Sequence, residues 1–130
     1  MRVEWRAAFV NADLNELHAQ GFGHGERDTD WRAQVERHSL GWVCAFEGTR
    51  LIGFVNVAWD GGVHAFVLDT VVAPDRRHAG IGRALVEVAE RESRAAGCEW
   101  LHVDFEEELD PFYVGACGFT PAPAGLIALR

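Results

Sequence analysis

The sequence VVAPDRRHAGIGR, residues 71–83, joins the end of an apolar run to the start of an amphipathic helix. Pro74 ends the run, and the first backbone N–H groups of the helix then have no internal partner and carry positive partial charge. Gly80 and Gly82 remove side chains that would keep a phosphate away, and three arginines in the passage add cationic donors. The passage is therefore suited to binding a diphosphate.

Two common phosphate-binding motifs do not match this passage. A dinucleotide-binding fingerprint requires a third glycine, but that position holds Leu85. A Walker loop requires a lysine, and the sequence contains no lysine. The pattern that remains is Arg77-x-x-Gly-x-Gly82.

Apolar runs on both sides of the passage predict a sheet with helices around it. The predicted strands are residues 3–7, 42–46, 51–59, 64–72, 99–105 and 126–129. The predicted helices cover residues 11–22 and 30–38, the stretch from about Ile81 to Gly97, and a short segment that begins at Asp110. Successive strands followed by a strand–helix–strand unit indicate one mixed α/β domain over residues 1–130.

Composition and charge exclude several function classes. Twenty acidic and twelve basic residues give a formal net charge of −8, which argues against nucleic-acid binding because affinity for phosphate backbones comes from Lys and Arg. The charge fits an acidic coat that keeps the protein soluble, and it also fits a cationic partner. The three distant cysteines form neither a disulfide framework nor a zinc motif. With no visible signal peptide or membrane-spanning run, we expect a cytoplasmic protein that binds no membrane.

The pattern from Arg77 to Gly82 resembles the acetyl-CoA loop of the GNAT superfamily of N-acetyltransferases, Q/R-x-x-G-x-G/A. Two flanking segments extend the likeness: Val72-Ala-Pro74 resembles the family's V-x-P strand exit, and Phe112-Tyr113 with Cys117-Gly118-Phe119 resembles its FY…GF segment. The resemblance implies a mostly antiparallel central sheet of roughly six to seven strands, splayed between strands 4 and 5 and flanked by about four helices. It also implies direct transfer of acetyl from acetyl-CoA, as co-substrate, to a primary amine, with no metal.

The resemblance assigns cofactor contacts to the strand end and to the loop. The backbone of the strand end would contact the pantetheine arm and the acetyl carbonyl, and the loop amides would hold the pyrophosphate. The implied cofactor-binding residues are Val71, Val72, Arg77, His78, Ala79, Gly80, Ile81, Gly82 and Arg83.

The same resemblance places a general acid at Tyr113, the only tyrosine. The family commonly has this tyrosine four residues before the glycine of the GF pair, whereas Tyr113 is five residues before Gly118. Either the helix accommodates one extra residue, as a bulge does, or Tyr113 points elsewhere. For the general base, His102 lies where some relatives that acetylate protein N-termini carry a glutamate, and Asp69 is a second candidate.

Five carboxylates lie between Asp104 and Asp110, and we expect them to attract a positively charged amine acceptor. Trp31 and residues 21–25 lie where relatives form the acceptor pocket. The remaining histidines have no metal-ligand spacing and are predicted to be surface or packing residues; they are His18, His24, His38 and His64.

Alternatives to this enzyme remain open from sequence. One is a module that binds acyl-CoA but has lost catalysis, and the shifted Tyr113 favours it. The other is an acetyltransferase of protein N-termini or lysines. Because relatives often pair through edge strands, a homodimer is a further expectation.

Overall fold

A computed structural model describes residues 1–130. In chain order its elements are β1 (Arg2–Trp5), α1 (Asn11–Phe22), α2 (Trp31–His38), β2 (Ser39–Glu47), β3 (Arg50–Trp59), β4 (His64–Val72), α3 (Ile81–Ala95) and β5 (Trp100–His102). Short 3-10 turns cover Pro74–Arg76 and Glu107–Leu109, and a π-helical segment covers Pro111–Ala116. No helix has the length and apolar character that crossing a bilayer would need.

The five strands form one sheet in the order β1-β2-β3-β4-β5. Neighbouring strands are antiparallel except β4 and β5, which are parallel because the chain returns across the sheet through α3. The predicted mixed α/β architecture with a mostly antiparallel sheet is therefore confirmed.

The predicted strand number of roughly six to seven is wrong, because the sheet has five strands. Residues 126–129, predicted to close the sheet, lie in no regular element, and their large apolar side chains are almost fully exposed. Pro121 and Pro123 precede this segment, and proline cannot donate to a strand ladder. The predicted strand at residues 99–105 is also shortened, to the three residues of β5.

Helices cover both faces of the sheet. Consecutive residues of a strand point to opposite faces, so one strand can contact helices on both sides. On β3, Gly53 faces α3, where an added Cβ would lie 3.1 Å from a methyl group of Leu85. The next residue, Phe54, packs on the other face against Trp31 of α2, with ring centroids 6.1 Å apart. With α1 beside α2, the sheet lies in the middle of three layers.

β4 and β5 stay paired only over the three residues from His64 to Phe66, and beyond these the strands diverge. A bulge on β4 follows at once. Between the pairs that β3 makes with Leu68 and Val71, β4 contains one extra residue, and Asp69 adopts a left-handed backbone with φ of 57°. The sheet is thus splayed where the family resemblance implied, between its fourth and fifth strands.

Candidate active site

The divergence of β4 and β5 opens a cleft of about 690 Å³. Its walls include Val67–Thr70 of β4, Val103–Glu106 after β5, and Tyr113 of the π-helical segment. Phe22 of α1 and the chain around Leu126 also line it. The cleft therefore brings together the bulge of β4, the predicted general acid and part of the carboxylate-rich loop.

The loop between β4 and α3 offers a row of free donors. None of the N–H groups from Arg77 to Arg83 donates to a backbone carbonyl. Gly80 precedes the helix with φ of 80°, a left-handed conformation that favours glycine, and no atom lies within 4 Å of the place its Cβ would take. These open amides at the positive end of α3 have the geometry that anion binding requires.

The arginine side chains of this loop have partners inside the protein. Arg77 donates from Nη2 to the carbonyl of Gly21, 3.1 Å away, near the C-terminal end of α1. Arg76 donates to the carboxylate at the end of β2, with hydrogen bonds of 2.6 and 3.0 Å. Arg83 pairs with Glu87 at 3.1 Å on the exposed side of α3. The side chain of Arg77 therefore links the loop to α1. The backbone N–H of Arg77 has no backbone acceptor.

Gly82 has a packing role that the sequence pattern did not reveal. A Cβ at this position would lie 3.0 Å from Cζ of Phe112. The π-helical segment therefore rests on the first turn of α3, and the residue after Phe112 is the predicted acid, Tyr113. The contact of Gly82 with Phe112 therefore links the loop before α3 to the segment that carries Tyr113.

The π-helical segment accommodates the unusual spacing of Tyr113. Cys117 donates its N–H to the carbonyl of Phe112 at 2.9 Å, five residues back, where an α-helix would bond four residues back. One extra residue is thereby absorbed within a single wide turn. Of the two alternatives left open by the sequence, the structure contains the bulge, and Tyr113 lines the cleft.

Tyr113 is 7% exposed, and its ring stacks on Phe105 with centroids 5.0 Å apart. Burial raises the pKa of Tyr113, and the neighbouring hydroxyl of Thr70 opposes this rise. The Thr70 hydroxyl is itself buried and has no partner with full hydrogen-bond geometry. The phenol of Tyr113 is therefore held in its protonated form beside the cleft.

Asp69 connects the cleft to two histidines of the N-terminal region. Its Oδ1 lies 3.1 Å from Nε2 of His18 on α1, and Nδ1 of His18 lies 2.6 Å from Nε2 of His24. The His24 ring in turn donates from Nδ1 to the carbonyl of Gly25 at 2.7 Å. Because the bulge turns Asp69 toward the cleft, this row of side chains begins at the cleft wall.

The sequence profile of the acetyltransferase (GNAT) family matches residues 7–119. The chain belongs to the GNAT acetyltransferase family. It is 30% identical over 78 residues to an uncharacterized N-acetyltransferase, ycf52, of Porphyra purpurea, a match that spans 60% of this chain and 44% of that protein. The match thus covers less than half of the relative's length.

Solved GNAT-like structures share the whole fold. A GNAT family acetyltransferase from Streptococcus pneumoniae superposes with a TM-score of 0.78 at 22% identity, covering 99% of this chain and 97% of that one. AAC(6')-Iy, solved in complex with the bisubstrate analog CoA-S-monomethyl-acetylneamine, gives 0.75 at 18% identity, covering 100% and 99%. At such identities the likeness establishes the fold alone.

In this GNAT chain, Val71 and Val72 lie beyond the point where β5 leaves β4. One edge of this strand end pairs with β3, through Phe54 and Gly53. The other edge has no strand partner, because the pairing with β5 stops at Phe66. The edge that the resemblance assigns to the pantetheine arm is therefore open to a ligand.

His102, the base suggested by the family resemblance, lies away from the cleft walls. Its Nε2 is 2.7 Å from Nδ1 of His64, and its ring stacks on Phe66 with centroids 4.7 Å apart. All three residues lie in the short region where β4 and β5 are still paired. His102 is thus separated from Tyr113 and Asp69 by the point at which the strands begin to diverge.

The carboxylate-rich segment is divided by the structure. Asp104 and Glu106 line the cleft, whereas Glu107, Glu108 and Asp110 lie in the exposed turn that follows. No three His, Cys, Asp or Glu side chains are grouped in a way that could hold a metal ion. The acidic character of the cleft thus comes from Asp69, Asp104 and Glu106.

Sequence reasoning missed the row that begins at Asp69. His18 and His24 were predicted to be surface or packing residues, although His18 falls on the apolar face of α1 with Leu14 and Leu17. A histidine within an apolar helix face was the available signal. Its carboxylate partner is 51 residues away in the chain and could not be identified from local spacing.

Proposed function

We propose that this chain is an N-acetyltransferase that moves the acetyl group of acetyl-CoA directly to a primary amine on a cationic acceptor. One observation carries the proposal: Tyr113 and Asp69 share the walls of the splayed cleft, and the β4 strand that forms one wall leads into the loop with free amides at Arg77–Arg83. Acetyl-CoA supplies an activated acetyl group and a thiolate leaving group when it is bound.

The residues present fit acetyl-CoA. The open amides from His78 to Arg83 would hold the pyrophosphate, helped by the positive end of α3. The unpaired edge of β4 at Val71 and Val72 would bind the pantetheine arm and the acetyl carbonyl through main-chain groups. Backbone N–H groups fixed in this way stabilise the negative charge that develops on a carbonyl oxygen during acyl transfer.

Tyr113 would donate the proton to the departing thiolate. Because burial raises the pKa of its phenol, Tyr113 keeps its proton at neutral pH. Its position between Phe105 and Phe112 excludes water from one side of the ring. The lone tyrosine is therefore available as a general acid in the cleft.

Asp69 would accept the proton of the attacking amine, directly or through a water molecule. Its carboxylate lines the cleft, and its left-handed backbone turns it away from the regular strand direction. His102 is the competing base; it would require the acceptor to reach the paired region of β4 and β5. The geometry favours Asp69 because Asp69 and Tyr113 share one cleft.

The charges of the cleft favour a cationic acceptor. Asp69, Asp104 and Glu106 contribute carboxylates to its walls, and the chain carries a net charge of −8. A positively charged amine would be attracted by such a cleft, and the attraction would weaken as salt is added. The identity of that amine is set by contacts that the charges alone do not specify.

The proposal is tested with purified protein, acetyl-CoA and a panel of amines: polyamines, amino sugars, and peptides with a free N-terminus or lysine. We expect calorimetry to show coenzyme A binding, and we expect steady thiol release with at least one small cationic amine. Release with peptides alone would favour a protein acetyltransferase. Binding without release for any amine would favour a non-catalytic acyl-CoA-binding module, and no binding would refute the proposal.

A further inference from the structure

The hydrogen bonds around His18 require a definite number of protons. The Gly25 carbonyl can only accept, so Nδ1 of His24 carries a proton. One further proton is needed between the rings of His24 and His18, and one between His18 and Asp69. Two neutral imidazoles carry one N–H each, which is one proton too few for all three contacts. The fully bonded row therefore holds one proton more than two neutral histidines and an ionised Asp69.

The surroundings of His18 hold its ring in place. Its side chain is 13% exposed, and it packs against Trp31 of α2 and Phe22 of α1 with ring centroids 5.2 and 4.4 Å away. The titratable groups in contact with the ring are Asp69 from β4 and His24 from the loop after α1, while α2 contributes only the indole. The aromatic rings of Phe22 and Trp31 thus flank the His18 imidazole, which lies between the Asp69 carboxylate and the His24 imidazole.

We propose that His18 and His24 form a proton relay that carries the amine proton from Asp69 at the cleft wall to solvent. The proposal rests on the proposed function and deepens it, because a relay explains how a carboxylate, by itself a weak base, can deprotonate an ammonium group near neutral pH. His18 and His24 act through Asp69 and position it; they do not touch the acceptor.

The transfer balances in charge and in protons. The transfer starts when both imidazoles are neutral with their protons on Nδ1 and Asp69 is ionised, so that Nε2 of His18 is free. An N–H bond of the ammonium breaks, its electron pair stays on nitrogen as the nucleophile, and the proton passes through Asp69 to Nε2 of His18, which completes the three hydrogen bonds. The positive charge lost by the acceptor is then carried by the imidazole pair, opposite the ionised Asp69. His24, which is half-buried beside the exposed Gly25, passes one proton to water and returns the row to its earlier state.

The decisive variant is His18→Gln. The glutamine amide can still donate to Asp69 but cannot take up a proton, so it keeps the positioning contact and removes the relay. We expect kcat/KM for the amine to fall at least about tenfold at pH 7, within the range of general-base effects. The pH profiles of the wild-type protein and of His18→Gln should differ in shape, because only the wild-type row can take up and release a proton. Coenzyme A affinity by calorimetry should stay within a factor of about two, which shows that the variant is folded.

Matched variants separate proton transfer along the row from a general effect of losing a histidine. His38→Gln, on the exposed end of α2, makes the same substitution outside the row and should keep the wild-type profile. Exogenous imidazole should partly restore His18→Ala but not Asp69→Ala. In nitrogen NMR spectra of the histidine rings, Asp69→Asn should change the signals of the His18 ring, since the carboxylate that compensates the extra proton is lost.

Each outcome has a separate meaning. If the wild-type protein acetylates an amine and His18→Gln retains both its rate and its pH profile, the relay is wrong and the proposed function stands. If the NMR signals of the His18 ring are unaffected by Asp69→Asn, the proton count is wrong. If no amine is acetylated by the wild-type protein, both proposals fall together.

Discussion

Two pairs of histidines in this molecule have nearly the same internal geometry and very different surroundings. The ring nitrogens are 2.6 Å apart in His18–His24 and 2.7 Å apart in His64–His102, and the ring centroids are 4.9 Å apart in both. The first pair contacts the carboxylate of Asp69, which lines the cleft. The imidazole rings of the second pair make no hydrogen bond to a carboxylate, since only the backbone N–H of His64 donates to Oδ1 of Asp60 at 3.3 Å, and the pair lies outside the cleft walls.

The difference shows that spacing between two imidazoles does not define their chemistry. A carboxylate at one end compensates an extra proton and fixes which ring nitrogen faces it. Without a carboxylate, an imidazole pair needs only one proton between its rings, and nothing compensates the charge of a further proton. The family resemblance suggested His102 as the general base. The surroundings of the two pairs instead favour Asp69, which contacts His18.

The largest expected effect comes from comparing Asp69→Asn with His102→Gln. Asparagine is nearly isosteric and tolerates the left-handed backbone of position 69, so the bulge should survive. We expect Asp69→Asn to lower kcat/KM for the amine by about 10²–10⁴-fold, the usual contribution of a general base, and by more than His102→Gln does. Thiol release measures both variants. A larger loss in His102→Gln would reverse the assignment of the base.

Tyr113→Phe tests the opposite side of the same cleft. We expect turnover to fall by about 10²-fold while coenzyme A affinity changes by less than about twofold, because the hydroxyl acts only on the departing thiolate. Since burial raises the pKa of Tyr113, wild-type turnover should hold through neutral pH and fall only above the usual range of a tyrosine phenol, when the phenol loses its proton. Unchanged turnover in the variant would remove Tyr113 from the mechanism.

Gly80→Ala tests whether the loop before α3 binds the phosphates of coenzyme A. An alanine at φ of 80° costs about 1–2 kcal/mol, so the loop should shift and coenzyme A binding should weaken about tenfold. Gly97→Ala is the matched control, because Gly97 has φ of 90° and equally open surroundings at the far end of α3. Both variants should lose stability, and equal coenzyme A affinities would argue against the loop as the phosphate site.

Neutralising Glu106, Glu107 and Glu108 together should have a smaller effect. We expect the acceptor KM to rise several-fold at low salt and less in 0.5 M salt, because the Debye length at 0.5 M is only about 4 Å and the attraction is screened. Turnover at saturating acceptor should stay near the wild-type value. A KM that does not change for a cationic acceptor would contradict the attraction assigned to this segment.

The smallest effect is expected at Asp75, remote from both histidine pairs. Hydrogen bonds from Arg50 lower the pKa of Asp75 to about 2, so its stabilising contribution is present above the usual carboxyl range and is lost as pH falls towards 2. Asp75→Asn should slightly lower the melting temperature at neutral pH and leave it unchanged near pH 2, since the pair is exposed. An equal loss at both pH values would show that the ion pair is not the cause.

The loop between β4 and α3 could be predicted because its information is local. A strand ended by Pro74, a glycine with a left-handed backbone and an apolar helix face lie within a short stretch of chain. The splay of strands 4 and 5 followed from the family resemblance. The strand number did not, because an apolar segment makes a strand only where it finds a partner, and residues 126–129 have none.

The row of side chains formed by Asp69, His18 and His24 could not be predicted in the same way. His18 meets Asp69 only after α1 has packed on β4, where a Cβ at Gly21 would overlap the side chain of Val71. The left-handed backbone at Asp69 has no glycine to mark it in the sequence. Contacts between residues this far apart are fixed by the tertiary structure.

The wide turn that carries Tyr113 has a consequence for how this chain is aligned with its relatives. Homology comparisons place gaps in loops and keep helices in continuous register, and such an alignment would match the relatives' tyrosine with Val114. A survey by alignment column would then score this chain as lacking the tyrosine that the family resemblance places at residue 113. The extra residue belongs inside the helix, so a superposition of coordinates is the comparison that tests whether Tyr113 is equivalent to that tyrosine.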